Sequence, residues 1–280
     1  MFKVENLTKD YGAFRLDGVS FTIQRGYITG IVGANGAGKT TMIKCMLGIT
    51  KADGGVVTAF DTDLESGESI IKKKVAFSSG GFDYYGFEKC SRLAKYYKNF
   101  YPDWDDERFN FYAKKFAIDL NKKIRDLSAG MKVKFSLALA FARDAQLFVF
   151  DEPTSGLDPS SRDELLDEFR SVIESGEKSI VYSTHITSDL DKCADFVILV
   201  DGGKILLDGE KDEIIESHLL VSGGADEVEK VKDFAIGIKQ NKYNFTALIK
   251  SENKVDGLVY SRPTLEDIAV YYNRAQRRVD

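Results

Sequence analysis

The sequence predicts an α/β fold, in which helices pack on a mainly parallel sheet. Four apolar runs are typical of strands buried on both faces, at residues 26–33, 145–150, 179–183 and 195–200. Helical patterns lie between several of these runs, for example at residues 160–175. This alternation favours parallel strands covered by helices.

The segments around the first apolar run supply further elements. Residues 2–7 and 16–23 alternate between apolar and polar residues, as half-buried antiparallel strands do. A helical pattern follows at 40–49, and residues 82–146 are mainly helical in pattern. Because aromatic stripes usually lie in a core, we expect most of the eight aromatic residues between positions 82 and 101 to be buried.

The last part of the chain has a different pattern. The Gly202-Gly203 turn predicts a hairpin that joins the fourth apolar run to residues 204–209. From about residue 211, short strands and turns predict a small α/β appendix at 211–280, which suits a chain of 280 residues with one large domain. A final helix is predicted after Pro263, where Thr264 and Asp267 have the spacing of a capping box.

Composition argues against several classes of protein. Lys and Arg number 39 against 44 Asp and Glu, so the net charge is −5 and we expect no general nucleic-acid binding. Three cysteines without paired spacing argue for reduced thiols and against a disulfide framework or a zinc site.

The N-terminus lacks a signal-peptide pattern, and no apolar run approaches the ~20 residues that span a bilayer. A role at a membrane would need another polypeptide to supply the spanning part.

Residues 33–40, GANGAGKT, match the pattern G-x-x-x-x-G-K-[ST] between a predicted strand and a predicted helix. Glycines let the backbone curl so that successive N–H groups point at one phosphate, and the helix start adds its positive end. Lys39 would contact the β- and γ-phosphates of a nucleotide, and the Thr40 hydroxyl would bind Mg²⁺. The predicted nucleotide-binding residues are Gly33, Ala34, Asn35, Gly36, Ala37, Gly38, Lys39, Thr40 and Thr41. A plain Gly-rich turn is the alternative.

Two acidic residues and a histidine follow other apolar runs, and open α/β sheets bind ligands at the carboxyl ends of strands. We expect Asp151 to hold Mg²⁺ together with Thr40, and Glu152 to polarise a water for attack on the γ-phosphate. The imidazole of His185 would contact the γ-phosphate and fix the attacking water. A solvated acidic pair and a surface histidine are the alternatives, and His218 has no comparable context.

Five motifs in a fixed order make the chain similar to a known family. They are the loop at 33–40, LSAGM at 127–131, FVFDEP at 148–153, SGLD at 155–158 and STH at 183–185. Over about residues 1–210 the chain resembles the ATPase subunits of ABC transporters. The resemblance implies a P-loop NTPase core of the ABC ATPase type, with an antiparallel β subdomain, a helical subdomain at about 82–146, and ATP and Mg²⁺ as ligands. Residues 211–280 match no family motif and are predicted to be an accessory or dimerisation region.

In this family two ATPases face each other head to tail, and each completes the other's site. The resemblance implies that the partner's γ-phosphate is bound by the stretch Leu127, Ser128, Ala129, Gly130 and Met131. Asp158 would help to shape the partner's site, and Tyr11 falls where the family places a ring that stacks on adenine. The competing interpretations are an ordinary Ser-capped helix at Ser128 and a buried strand residue at Tyr11.

The family usually has a Gln that reaches Mg²⁺ and the attacking water, and the matching stretch of this chain contains no Gln. Ser79 or Gly80 falls near its place, and Ser79 or Asp83 would replace it through water. Many relatives have Gln at the position of Met131. An LSxGM stretch with Met at this position resembles the branch of ABC-2-type exporters. The chain also resembles the subgroup of these exporters that serves antimicrobial or amphipathic-peptide export and resistance. This resemblance lies in two segments, 100–109 and 119–128.

The resemblance therefore implies an ATP-hydrolysing subunit that powers an exporter of peptides or amphipathic compounds. It would work as a homodimer or heterodimer of ATPase subunits, bound to an integral-membrane permease on the cytoplasmic face of the cell membrane. A soluble ABC-type ATPase of translation or DNA repair is the alternative, although one cassette and no coiled coil between residues 40 and 128 argue against it. A P-loop kinase or GTPase would leave the LSAGM stretch and His185 unexplained.

Overall fold

The computed structural model describes residues 1–79 and 85–276, with the side chains of 1–79 and 85–275. In that part of the chain, fourteen strands form three sheets and nine α-helices pack around them. The strands are β1 (Phe2–Asp10), β2 (Arg15–Ile23), β3 (Ile28–Val32), β4 (Gly54–Ala59), β5 (Thr62–Asp63), β6 (Val75–Ser78), β7 (Leu147–Asp151), β8 (Ser179–Thr184), β9 (Phe196–Asp201), β10 (Lys204–Glu210), β11 (His218–Gly224), β12 (Gly237–Gln240), β13 (Asn244–Lys250) and β14 (Val259–Ser261). The helices are α1 (Lys39–Met46), α2 (Leu64–Lys74), α3 (Cys90–Phe100), α4 (Asp106–Lys115), α5 (Ala129–Phe141), α6 (Pro159–Ile173), α7 (Thr187–Cys193), α8 (Lys211–Glu216) and α9 (Leu265–Gln276).

The central sheet has six strands in the order β10-β9-β3-β8-β7-β6. Five of them are parallel, and β10 pairs antiparallel with β9 through the predicted hairpin. Successive side chains of a strand point to opposite faces, and in β7 Phe148 and Phe150 lie in one hydrophobic core while Leu147 and Val149 lie in another. Both faces of the sheet are therefore buried, which explains its continuous apolar runs. The predicted α/β fold is confirmed.

One face of the central sheet is covered by α1 and by an antiparallel sheet of order β2-β1-β4-β5. Phe2, Val4 and Leu7 of β1 are buried in the core shared by these elements, whereas Lys3 and Glu5 are exposed. The alternation predicted for the N-terminal segments thus corresponds to strands with one face in the core.

The opposite face is covered by helices, among them α3 to α6. Aromatic rings join these helices to the sheet: the Phe141 and Phe150 centroids lie 5.5 Å apart, and the Phe150 and Phe169 rings stack at 5.2 Å. Tyr112 of α4 lies 4.8 Å from Phe141 by centroids. Burial of such large rings is a major stabilising contribution, and offset or edge contacts add to it.

The expectation that most aromatic residues of 82–101 are buried is wrong for the described ones. Three are exposed, with relative exposures of 49% for Tyr85, 78% for Phe87 and 80% for Phe100. The other three, Tyr96, Tyr97 and Tyr101, are half-buried, and of these Tyr96 and Tyr97 pack against the core. The buried face of α3 consists instead of Cys90, Leu93 and Ala94. Two further aromatic residues, Phe82 and Tyr84, lie outside the described residues.

The third sheet, in the order β12-β13-β11-β14, is antiparallel and comes from residues after 217. The last helix, α9, follows the predicted capping box: Thr264 N–H donates to Asp267 Oδ2 over 3.0 Å, and Asp267 N–H donates to Thr264 Oγ1 over 3.1 Å. Leu265, Ile268 and Tyr271 of α9 belong to the same hydrophobic core as α3 to α6. Among the described residues, no helix is both long and apolar enough to cross a bilayer.

Candidate active site

The loop between β3 and α1 wraps around the ammonium group of its own lysine. Gly38 has a φ of +110°, and a Cβ there would lie 2.8 Å from Cζ of Phe14, so the position requires glycine. Lys39 is 5% exposed, and its Nζ donates to the carbonyl oxygens of Gly33 at 2.7 Å and Ala34 at 3.2 Å. The cation is thus held inside the predicted phosphate-binding loop.

Thr40, in the first turn of α1, lies beside Asp151 at the carboxyl end of β7. Oγ1 of Thr40 donates to Oδ2 of Asp151 over 2.7 Å, and Oγ of Ser183 donates to Oδ1 over 2.6 Å. Mg²⁺ prefers oxygen ligands and is usually held by one or two carboxylates plus substrate phosphates. The hydroxyl and carboxylate present fit such an ion. Among the described residues, no group of three or more His, Cys, Asp or Glu could hold a metal by itself.

Glu152 contacts Lys39 and His185. Its Oε1 lies 3.1 Å from Lys39 Nζ, and its Oε2 lies 2.9 Å from His185 Nδ1. The Glu152 backbone has a φ of +54°, which is uncommon outside glycine and marks functional sites often, and its N–H donates to Ser183 Oγ over 2.9 Å. A carboxylate in this position can accept a proton from a water beside the loop. A phosphate on Lys39 would compete with the Lys39–Glu152 ion pair.

A cavity of about 400 Å³ opens over the loop. Its lining contains most of the predicted loop residues, Glu152 and one residue that was not predicted: Phe14, Asn35, Gly36, Ala37, Gly38, Lys39, Thr40, Thr41 and Glu152. A larger cavity, of about 640 Å³, lies between β4 and α2 and contains none of the predicted site residues.

Tyr11 lies just after β1 and shares a turn with Phe14, since Tyr11 N–H donates to the Phe14 carbonyl over 2.9 Å. Its side chain is 56% exposed, and Lys9 Nζ lies 5.5 Å from the ring centroid. The interpretation of Tyr11 as a buried strand residue is therefore wrong. Of the two rings, Phe14 lies against the loop at Gly38, and it would have been found by considering every ring in the KDYGAF segment.

The stretch at 127–131 forms the start of α5. Ser128 is exposed and caps the helix, because its Oγ accepts from Met131 N–H over 3.2 Å, while Leu127 is buried beneath it. A Cβ on Gly130 would lie 3.0 Å from the carbonyl oxygen of Gly156, so α5 starts in close contact with the segment before α6. The predicted in-trans residues thus form one cluster.

Asp158 belongs to that cluster and caps α6. Its Oδ1 accepts from Ser161 N–H over 3.0 Å, and hydrogen bonds from Ser161 lower the pKa of the Asp158 carboxyl. Of the described residues, neither Asp158 nor any residue of 127–131 lines the cavity over the phosphate loop. The structure therefore brings the predicted residues together in two separate groups.

Of the proposed substitutes for the missing Gln, Ser79 directly follows β6. Ser79 is exposed and lines a small cavity of about 140 Å³ together with Tyr97, Tyr101 and Arg143. Gly80 and Asp83 lie outside the described residues. Ser183, which contacts both Asp151 and the Glu152 backbone, was missed although it is part of the STH motif.

Comparisons with known proteins agree with the motifs. The family described as ABC transporter matches residues 16–155. The ABC transporter ATP-binding protein NatA of Bacillus subtilis (strain 168) is 31% identical over 206 residues, or 71% of this chain and 83% of that protein. Nod factor export ATP-binding protein I of Burkholderia lata is 30% identical over 235 residues, which cover 80% of this chain and 74% of that protein. A dimeric bacterial ABC transporter cassette has a similar fold, with a TM-score of 0.66, 21% identity and coverage of 75% of this chain and 98% of that one.

Proposed function

The chain belongs to the ABC transporter family, as an ATP-binding subunit with ATPase activity, and we propose that it powers an exporter through an ATP-bridged, head-to-tail dimer. A relative named as an export ATP-binding protein supports the direction of transport. The observation that carries the proposal is the separation of the site into two groups of residues, of which only one lines the cavity.

The residues of the first group make one chain's contribution to nucleotide binding and bond cleavage. The loop N–H groups and Lys39 bind the phosphates, and the γ-phosphate displaces Glu152 from Lys39. Thr40 and Asp151 would hold Mg²⁺, which supplies charge neutralisation on the phosphates. Glu152 then accepts a proton from the attacking water, and His185 orients that water and the γ-phosphate. Tyr11 stacks on the adenine ring.

The second group completes the site of another copy. Ser128 and the N-terminus of α5 are exposed and can present a hydroxyl and positive helix end to a phosphate. Gly130 holds this helix start against the segment that ends at Asp158, so the two approach a partner as one surface. Residues 211–280 add contacts that support the dimer.

Subunit mixing tests this arrangement. Lys39→Ala removes the phosphate-binding cation, and Ser128→Glu places a like charge where the partner's phosphate would bind; each variant alone is expected to lose ATP hydrolysis. When the two variants are mixed, the hybrid dimer contains one site with both defects and one intact site. ATP hydrolysis by the mixture, measured as phosphate release, should therefore recover in part.

Lys39→Ala mixed with Lys39→Ala,Ser128→Glu is the matched control, because no hybrid of these chains has an intact site. Recovery in this control, or no recovery in the test mixture, would contradict a site shared between chains.

A second measurement uses Glu152→Gln, which should bind ATP without cleaving it and elute as a dimer in size-exclusion chromatography with ATP. Elution of this variant as a monomer would also contradict the proposal.

The membrane partner and cargo follow from the exporter assignment. The exposed Tyr85 and Phe87 rings, with the Arg125 guanidinium 4.8 Å above the Phe87 ring, lie on the chain just after the segment of the missing Gln. We propose that this surface receives a segment of an integral-membrane permease, which places the chain at the cytoplasmic face of the membrane. The similarity to ABC-2-type exporters supports an amphipathic peptide as cargo.

Affinity purification from native membranes tests the partner. An integral-membrane protein should copurify with the wild-type chain, and Phe87→Ser should weaken this association while Phe100→Ser, equally exposed on another part of the helical region, should not. In proteoliposomes of the purified complex, a cationic amphipathic peptide should stimulate ATP hydrolysis. Ribosomes or DNA in place of a membrane protein would overturn the exporter.

A further inference from the structure

Backbone pairing between β7 and β8 ends before the strands reach the two reactive side chains. The last pair of the ladder is Asp151 opposite Ser183. Beyond it Glu152 leaves β7 with a φ of +54°, and His185 follows Thr184, the last residue of β8, which pairs only with Val32 of β3. Contacts other than the ladder must therefore keep Glu152 Oε2 and His185 Nδ1 at 2.9 Å.

A buried carboxylate on α7 provides such contacts. Asp189 is 1% exposed, and its Oδ2 accepts hydrogen bonds from Thr154 Oγ1 at 2.8 Å and Thr184 Oγ1 at 3.4 Å. Thr154 lies two residues after Glu152, and Thr184 directly precedes His185. One oxygen atom thus joins the two segments that leave the sheet.

The threonine on the histidine side shapes the turn itself. Oγ1 of Thr184 also accepts from Ile186 N–H over 3.0 Å, so the hydroxyl spans His185 and donates its own proton to Asp189. Hydroxyl–backbone bonds of this kind fix local turns. The orientation of His185 therefore depends on a hydroxyl whose partner is the buried carboxylate.

The other oxygen of Asp189 faces α6. Oδ1 lies 4.0 Å from Arg162 Nε, a buried atom with no hydrogen-bond partner among the described residues. α6 starts directly after its capping residue Asp158, which belongs to the cluster proposed to reach a second copy. The Asp189 carboxylate thus accepts hydrogen bonds from the Glu152 segment and the His185 turn, and it faces the helix next to that cluster.

We propose that Asp189 is a positioning residue for ATP hydrolysis, which keeps Glu152 and His185 in register through Thr154 and Thr184. The inference rests on the proposed roles of Glu152 and His185. A carboxylate that served only the N-terminus of α7 would need no contacts to both segments, whereas Asp189 uses one oxygen for both and is buried.

Asp189→Asn tests the role in the full-length chain. Its kcat for ATP hydrolysis should fall by up to about 100-fold, because small displacements of reacting groups have effects of that size. The dissociation constant for ATP should stay unchanged, since Asp189 does not line the cavity of the phosphate loop. Asp191→Asn is the matched control, as Asp191 is an exposed residue of the same helix and should keep the wild-type kcat.

A double-variant cycle separates positioning from general support of the fold. In a His185→Ala background, Asp189→Asn should lower kcat by a smaller factor than in the wild-type background, because one of the two groups that it positions is already gone. A residue that only stabilises the fold would lower kcat by the same factor in both backgrounds. Equal factors, or a wild-type kcat for Asp189→Asn, would overturn the inference.

Thr154 offers a second variant pair if Asp189→Asn does not fold. Thr154→Val removes the hydroxyl that donates to Asp189 and should lower kcat, whereas Thr154→Ser keeps the hydroxyl and should lower it less. An equal effect of Ser and Val would overturn the inference. If Glu152→Gln and His185→Ala themselves left kcat unchanged, the proposed catalytic roles would fail first, and the inference with them.

Discussion

At the scale of single residues, Ser183 connects the carboxylate of Asp151 to the backbone of Glu152. Its hydroxyl donates to Asp151 Oδ1 over 2.6 Å and accepts from Glu152 N–H over 2.9 Å. Ser183→Ala would leave a buried carboxylate oxygen and a backbone N–H without these partners. We expect the free energy of unfolding to fall by about 1–3 kcal/mol, measured by urea titration, and kcat for ATP hydrolysis to fall as well.

Ser179→Ala is the control for that prediction. Ser179 is buried in the same strand, and its hydroxyl accepts from Gly26 N–H over 2.8 Å at the end of β8 remote from Glu152. The control should lose stability but keep kcat. An equal loss of kcat in both variants would mean that Ser183 acts through stability alone.

The residues of the site differ in how far the sequence alone could predict their places. The phosphate loop is local: eight consecutive residues contain the glycines, Lys39 and Thr40, so one motif identifies them. Phe14 and Ser183 were missed because their roles depend on contacts with segments far away along the chain. Asp189 shows no motif-level signal, since its partners are Thr154, in the segment after β7, and Thr184, at the end of β8.

At the scale of elements, a buried glutamate connects α4 to α6. Glu168 is 5% exposed, its Oε1 accepts from Tyr112 Oη over 2.7 Å, and its Oε2 pairs with Lys115 Nζ. Burial, followed by the hydrogen bond to Glu168, raises the pKa of Tyr112. The helical region is thereby joined to the helix that begins at the Asp158 cap.

Tyr112→Phe should therefore destabilise the chain by about 1.5–3 kcal/mol, because a buried charged acceptor loses one of its donors. Thermal unfolding or urea titration would measure the change. Tyr243→Phe is the comparison, since the Tyr243 ring is 77% exposed and should tolerate the same change. Similar stabilities of the two variants would show that the Tyr112–Glu168 bond contributes little.

Helix positions were predicted better than helix faces. The apolar runs and the capping box at Thr264 and Asp267 are local signals, and the structure has strands and a helix where they predict them. The aromatic residues of α3 were assigned to a core from residue type alone, but Phe100 is 80% exposed and Tyr96 and Tyr97 are only partly buried against the core. Which side of a helix meets its neighbours is decided by tertiary packing, which one sequence does not specify.

At the scale of the whole molecule, α9 returns from the third sheet and packs into the core of the helical side through Leu265, Ile268 and Tyr271. His218 lies at this junction and is 1% exposed. Its Nδ1 lies 2.6 Å from the Ile214 carbonyl, which can only accept, and its Nε2 lies 3.0 Å from Tyr272 Oη of α9. These partners match a neutral imidazole that donates through Nδ1 and accepts through Nε2.

Acidification should weaken this junction. Burial is the main cause that lowers the pKa of His218 below its ordinary value of 6.5. The unfolded chain therefore takes up a proton at higher pH than the folded chain, so stability is fully present above pH 6.5 and is lost as the pH falls towards the lowered pKa. The loss is at most about 1.4 kcal/mol per pH unit in that interval.

Urea titrations of wild type and His218→Asn on either side of pH 6.5 measure this contribution. The amide Nδ2 of Asn can replace the donor to Ile214 without titrating, so the variant should lose less stability than wild type when the pH is lowered. His185→Asn, at the other histidine of the chain, whose side chain is 43% exposed, is the matched control for the substitution itself. If His218→Asn showed the same decline as wild type, titration at the α9 junction would not govern the acid sensitivity of the fold.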